Sequence, residues 1–164
     1  MRKRTFAIVT TGICLLTMTA LTASAWVEGS AKSSVGTWKL DVAKSSFGSM
    51  PAPKFEQLVV TSDTPESLKW NLKGVGADGK SYFSSYDGPT DGKDHHMMSS
   101  EGSSTVAYTR TASGMSWVVK DMNGSVIETG SGQLSADGNT LTLTGAVQGP
   151  KAKSAFVSVF SRAQ

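Results

Sequence analysis

Apolar side chains alternate with polar ones at a spacing of two through most of the chain, and beyond position 26 no window of a dozen residues repeats them at three and four. That rhythm predicts strands, because successive side chains on an extended backbone point to opposite faces. It is cleanest at 67–73, where Leu68, Trp70 and Leu72 alternate with Lys69, Asn71 and Lys73. The same reading predicts ten short strands, at 36–40, 56–61, 67–73, 81–86, 95–99, 105–110, 115–120, 126–130, 141–147 and 155–162. Thr, Val, Tyr, Phe and Trp fill the places that a pleated surface favours.

The segments between strands contain turn chemistry. Ala77-Asp78-Gly79-Lys80 and Ala136-Asp137-Gly138-Asn139 repeat one formula, and Asp87-Gly88, Asp91-Gly92 and Asn123-Gly124 are further Asx-Gly pairs able to supply positive φ. Connections this short cannot hold parallel crossovers, so the strands are predicted to be antiparallel. Between 43 and 55 the alternation lapses, and Pro51-Ala52-Pro53 reads as an extended linker over the surface or the mouth of the fold.

An all-antiparallel set of this size must close on itself or stack, since a single sheet would leave an apolar face in water. Both an up-and-down β-barrel of about 8–10 strands and a β-sandwich satisfy that requirement; even spacing along a simple meander favours the barrel. On the apolar phase fall Trp38, Trp70, Tyr82 or Phe83, Tyr108, Trp117, Phe156 and Phe160, joined by Met115, Leu58, Val60, Leu141 and Leu143. In a barrel these point inward, either filling it or lining a pocket for one small apolar ligand.

Charge changes the picture once the start of the chain is considered. Met1-Arg2-Lys3-Arg4, the apolar, Thr-rich run to Leu21 and the small-x-small Ala23-Ser24-Ala25 have the three parts of a secretory signal peptide, with cleavage expected after Ala25. The expected organisation is a signal peptide at 1–25 and one barrel domain at 26–164, exported to a periplasm or outside the cell. Cleavage would remove Arg2, Lys3 and Arg4 and no acid, leaving 13 basic against 13 acidic residues. A neutral domain has no electrostatic footing for nucleic acid. Cys14, the single cysteine, sits inside the leader, and Ile13 before it is a poor fit to a lipidated-cysteine motif. No stretch in the remainder is apolar for long enough to span a bilayer as a helix.

The oddest local string is His95-His96-Met97-Met98, whose imidazoles and thioethers suit copper or zinc outside the cytoplasm. On a strand His95 shares a face with Met97, and His96 with Met98, so the string supplies at most two ligands to one site. Asp87, Asp91 and Asp94 cluster, but their spacing does not match an EF-hand loop. No nucleophile, base and orienting group can be named together, so no catalytic residue and no cofactor is assigned and the expectation is a non-enzyme. Glu56, Glu101 and Glu128 could supply paired carboxylates, but nothing sequential brings two of them together.

The phrase Val35-Gly36-Thr37-Trp38-Lys39-Leu40-Asp41-Val42-Ala43-Lys44-Ser45-Ser46-Phe47, followed by Pro51-Ala52-Pro53-Lys54, resembles the opening of a group of small exported bacterial lipocalin-like proteins. Gly36-Thr37-Trp38 is also similar to the first-strand motif of lipocalins and fatty-acid-binding proteins, the calycin barrels. That resemblance implies a structural pair closing the barrel, Trp38 under a basic residue of the last strand, here Arg162. It further implies a small hydrophobic or amphipathic ligand in the barrel, with Trp70, Tyr82, Tyr108, Met115, Trp117 and Phe156 as lining residues. The Arg-x-Tyr that holds a ligand carboxylate in fatty-acid-binding proteins has no counterpart, since Ala163 and Gln164 follow Arg162. Nor does that family's helical lid. Two alternatives stand beside the ligand-binding reading: an interaction module of the cell envelope with a filled core, and a periplasmic copper site at His95, His96, Met97 and Met98.

Overall fold

The computed structural model describes residues 33–148 and 153–163. The leader at 1–25 and Cys14 lie outside the described residues. Ten strands follow one another: β1 (Gly36–Leu40), β2 (Phe55–Asp63), β3 (Ser67–Val75), β4 (Ser81–Pro89), β5 (His95–Ser99), β6 (Gly102–Thr111), β7 (Gly114–Lys120), β8 (Val126–Leu134), β9 (Thr140–Gln148) and β10 (Lys153–Arg162). A single 3-10 turn at Val42–Lys44 interrupts the linker after β1, capped by the Asp41 side chain accepting from the Lys44 N–H.

Each strand pairs antiparallel with its neighbours in sequence, and β1 pairs with both β2 and β10, so the sheet is a closed ten-stranded up-and-down barrel. Closure is what separates this fold from the sandwich alternative: Trp38 stands opposite Leu58 on one side and Arg162 on the other, leaving no free edge there. The thinnest part of the wall is between β4 and β5, which are joined only at Ser84–Ser99 and Ser85–Met98.

Four of the five Asx-Gly pairs make turns with positive φ at the glycine, namely Gly79, Gly92, Gly124 and Gly138. The fifth does not. Asp87 and Gly88 continue β4 opposite Lys69 and Leu68, and Tyr86 places its ring where a Gly88 β-carbon would be. The strand runs on because β3 offers a partner as far as Ser67, which outweighs the local turn preference.

Alternation fixes the two faces. Inward-facing Trp38, Leu58, Val60, Leu68, Tyr86, Val106, Tyr108, Val119, Leu141 and Phe160 form one buried cluster. Of the two candidates at 82 and 83, Tyr82 faces in and Phe83 is half exposed outside. One end of the barrel, here the lower end, carries the connections 64–66, 112–113 and 135–139; the upper end carries 76–80, 100–101 and 121–125. At the lower end the Arg162 guanidinium lies 4.2 Å from the centroid of the fully buried Trp38 ring. It donates to the carbonyls of Gly138 (2.9 Å), Val35 (2.7 Å) and Ser33 (3.0 Å), while the Trp38 indole N–H donates to Ser34 (2.8 Å). Beside it, Arg110 pairs with Asp63 and donates to the Thr64 carbonyl, and Ser34 donates to Asp63.

Candidate binding site

The register places the lumen's aromatic rings in rows. Tyr108 of β6 stands opposite Trp117 of β7, Trp117 opposite Gly130 of β8, Gly130 opposite Gly145 of β9, and Gly145 opposite Phe156 of β10. A β-carbon on Gly130 would fall on the Trp117 ring, and one on Gly145 would come within 2.7 Å of the Phe156 ring. Across the barrel Tyr82 covers Gly74 in the same way. These rings therefore lie along the wall over glycines of the neighbouring strand, a packing that a side chain at those positions would prevent. Tyr86 and Tyr108 meet at 4.9 Å with a 55° tilt.

All six residues expected to line a pocket, Trp70, Tyr82, Tyr108, Met115, Trp117 and Phe156, face the lumen. Of the six only Tyr108 is buried, at 8% exposure; the other five, with Leu72 and Leu143, are partly exposed. Trp70, Leu72, Met115, Trp117 and Leu143 pack against the buried cluster, so the inner wall here is apolar and only partly covered.

The lumen also holds polar groups that alternation alone did not bring together. The Tyr82 hydroxyl donates to Glu56 Oε1, the Trp117 indole donates to Glu128 Oε1 at 2.7 Å, and the Trp70 indole donates to the Tyr108 hydroxyl at 3.1 Å. Burial pushes the Glu56 carboxyl above the usual carboxylate range, against the Tyr82 hydrogen bond. Burial does the same to Glu128, opposed by the Trp117 hydrogen bond and reinforced by the charge of Glu56. Tyr82 and Tyr108 are both raised, first by burial and then by the nearby glutamates, with Trp70's hydrogen bond opposing at Tyr108. The lumen is thus aromatic with two carboxyls that resist ionising.

Glu56 was readable as a charge on the apolar phase two residues before Leu58. Glu128 shares the phase of Gly130, Gly132 and Leu134, and just before it the β7–β8 register shifts: Val119 faces Glu128 but Lys120 faces Val126, which makes Ile127 the extra residue of a bulge. Val126 is consequently exposed and Ile127 packs against the core, while Glu128 stays on the inward face opposite Val119.

The string at 95–98 is divided between the two faces. Met97 packs against the core, and His95 shares its face, with Nε2 2.8 Å from Asp91 Oδ1. His96 and Met98 lie outside in a groove of about 320 Å³ formed with Lys69, Asn71, Ser85 and Asp87. Asp87 pairs with Lys69, Asp91 with His95 and Asp94 with Lys120, so the three acids do not converge. Among the described residues no three His, Cys, Asp or Glu side chains are grouped to hold a metal. Nor is any helix among them long and apolar enough to cross a membrane.

Neither a known protein family nor a curated protein matches the sequence. Solved structures do match. The fold is similar to that of the zebrafish ileal bile acid-binding protein. That structure, a complex with cholic acid, aligns over 80% of this chain and 100% of its own, with a TM-score of 0.54 and 10% identity. A second, Rv2717c from M. tuberculosis, aligns over 79% of this chain and 92% of its own, with a TM-score of 0.49 and 14% identity. At 10% identity the likeness to the bile acid-binding protein is one of fold, a closed antiparallel barrel.

Proposed function

We propose that this protein is an exported, non-enzymatic binding protein that holds one small hydrophobic or amphipathic molecule inside its barrel. The observation that carries this reading is the set of inward-facing but accessible aromatic residues, Trp70, Tyr82, Trp117 and Phe156, around a lumen with only a few polar groups. The bile acid-binding protein that shares the fold was solved with a small amphipathic ligand, which supports the same reading. Apolar rings supply binding energy in proportion to the ligand area they cover, about 25 cal/mol per Å² before the costs of association. The Tyr82, Glu56, Trp117 and Glu128 groups then orient whatever polar end the molecule has. The leader-like start at 1–25 motivates the export part of the proposal.

Titration with a neutral fluorescent probe such as N-phenyl-1-naphthylamine, followed through tryptophan emission, tests the binding. Saturable quenching of the lumen tryptophans is expected; a probe that gives no saturable signal, with native mass spectrometry of host-purified protein recovering no retained molecule, overturns it. The export part is checked by fractionating cells that express the full chain and weighing the product, which should begin at Trp26.

A further inference from the structure

The charges facing the lumen are arranged against the acidic ligands that a fatty-acid-binding-like barrel suggests. Glu56 projects from β2 and Glu128 from β8, strands separated around the barrel by β1, β10 and β9 on one side and by five strands on the other. They therefore face each other from nearly opposite walls, both within three residues of the upper ends of their strands. Each carboxylate accepts one hydrogen bond, through Oε1, and no other donor reaches either Oε2 among the described residues. Neither Oε2 is sealed from solvent either, since Arg110 Nε is the one described side-chain N or O atom both buried and without a partner. Two acceptor atoms without a protein donor thus stand on opposite walls near the upper end of the aromatic lumen.

The basic residues on the inward phase lie elsewhere and are engaged. Arg110 is held at the lower end by Asp63 and the Thr64 carbonyl. Arg162 is held there by three carbonyls and the Trp38 ring. His95 is bound to Asp91. On the inward phase a ligand carboxylate would meet two glutamates and no available cation, Lys54 lying at the rim beside Gly79, whereas an ammonium would meet both carboxylates and the faces of Trp70 and Trp117, which attract cations.

From this arrangement we infer that the lumen selects an apolar molecule bearing a basic nitrogen, an alkyl or aryl amine in its protonated form, with Glu56 and Glu128 as its charge partners, and discriminates against carboxylate-ended lipids. The inference rests on the binding proposal above and sharpens it to a ligand class. Partly buried carboxyls without counter-charge are unfavourable in the empty barrel, so a cation between them recovers part of that cost while the aromatic walls cover the apolar tail.

Three ten-carbon probes distinguish failure of this inference from failure of the binding proposal: decylamine, decanol and decanoate, each titrated below its micellar range into the purified protein and read by tryptophan fluorescence. The expected order is decylamine tightest and decanoate weakest, with at least about a tenfold gap between the two, equivalent to one step of roughly 1.4 kcal/mol. In the Glu56→Gln, Glu128→Gln double variant, with folding verified by circular dichroism, that gap should shrink to within about twofold. Decanoate binding as tightly as decylamine to the wild type overturns the inference, and this ranking decides it even where the variant does not fold. An undiminished preference in the folded variant also overturns it. If none of the three probes binds, the binding proposal itself falls, and the inference with it.

Discussion

Arg162 closes the lower end of the barrel, and its removal has a calculable effect. The guanidinium makes three hydrogen bonds to carbonyls, of which the one to Gly138 is buried and those to Val35 and Ser33 are near solvent, and it stacks 4.2 Å from the Trp38 ring. A charged donor to a buried carbonyl contributes about 1.5 kcal/mol, exposed ones about a third of that, and a partly desolvated cation–π contact about 1 kcal/mol. Arg162→Ala should therefore destabilise the barrel by roughly 3.5 kcal/mol, and Tm should fall by about 10 °C for a domain of this size. Lysine keeps the charge but loses the planar fork that reaches all three carbonyls, so Arg162→Lys should recover less than half of the loss. Urea denaturation followed by tryptophan fluorescence and far-ultraviolet circular dichroism measures both. A double-mutant cycle with Trp38→Leu should give a coupling energy of about 1 kcal/mol, since each substitution removes the same stacking contact. The reasoning is refuted if Arg162→Ala costs less than about 1 kcal/mol, or if the two substitutions are strictly additive.

Other outcomes follow from the lumen and its lower rim. Gly130→Ala puts a β-carbon on the Trp117 ring and within 2.8 Å of the Thr144 carbonyl, so it should cost about 1–3 kcal/mol in chemical denaturation and alter the near-ultraviolet dichroism as the ring leaves Glu128. Burial raises the Glu128 carboxyl in the folded state, so the native barrel binds that proton more tightly than the unfolded chain does. Its contribution to stability is complete at low pH and lost as pH rises through the raised folded value, so Glu128→Gln should gain stability relative to wild type as pH rises above the ordinary carboxylate range in urea melts. Asp63 has the opposite sign. Burial opposes its ionisation, but the hydrogen bonds from Ser34 and Arg110 and the Arg110 charge prevail and lower it. Asp63→Asn should thus cost about 1 kcal/mol at neutral pH after allowance for solvent screening, and the difference should close as pH falls through the lowered value in the same assay.

Much of this architecture was legible because a strand's side-chain period is two whatever the rest of the protein does. All ten strands overlap the ten segments expected from the sequence, most of them alternating apolar with polar residues, and four Asx-Gly pairs turn the chain where a left-handed glycine is needed, since both signals are local. Tertiary structure decided the remainder. Whether the sheet closes depends on β1 meeting β10, two segments more than a hundred residues apart, which no local pattern encodes. Asp87-Gly88 stays extended because β3 supplies a partner. Glu128 comes to share the lumen with Glu56 because β8 and β2 stand on nearly opposite walls of the closed sheet, and the bulge at Ile127 that turns Val126 outward shows only in the register against β7. Alternation sorts residues into inside and outside; which inside residues confront one another is set by the long-range pairing that wraps the sheet into a ring.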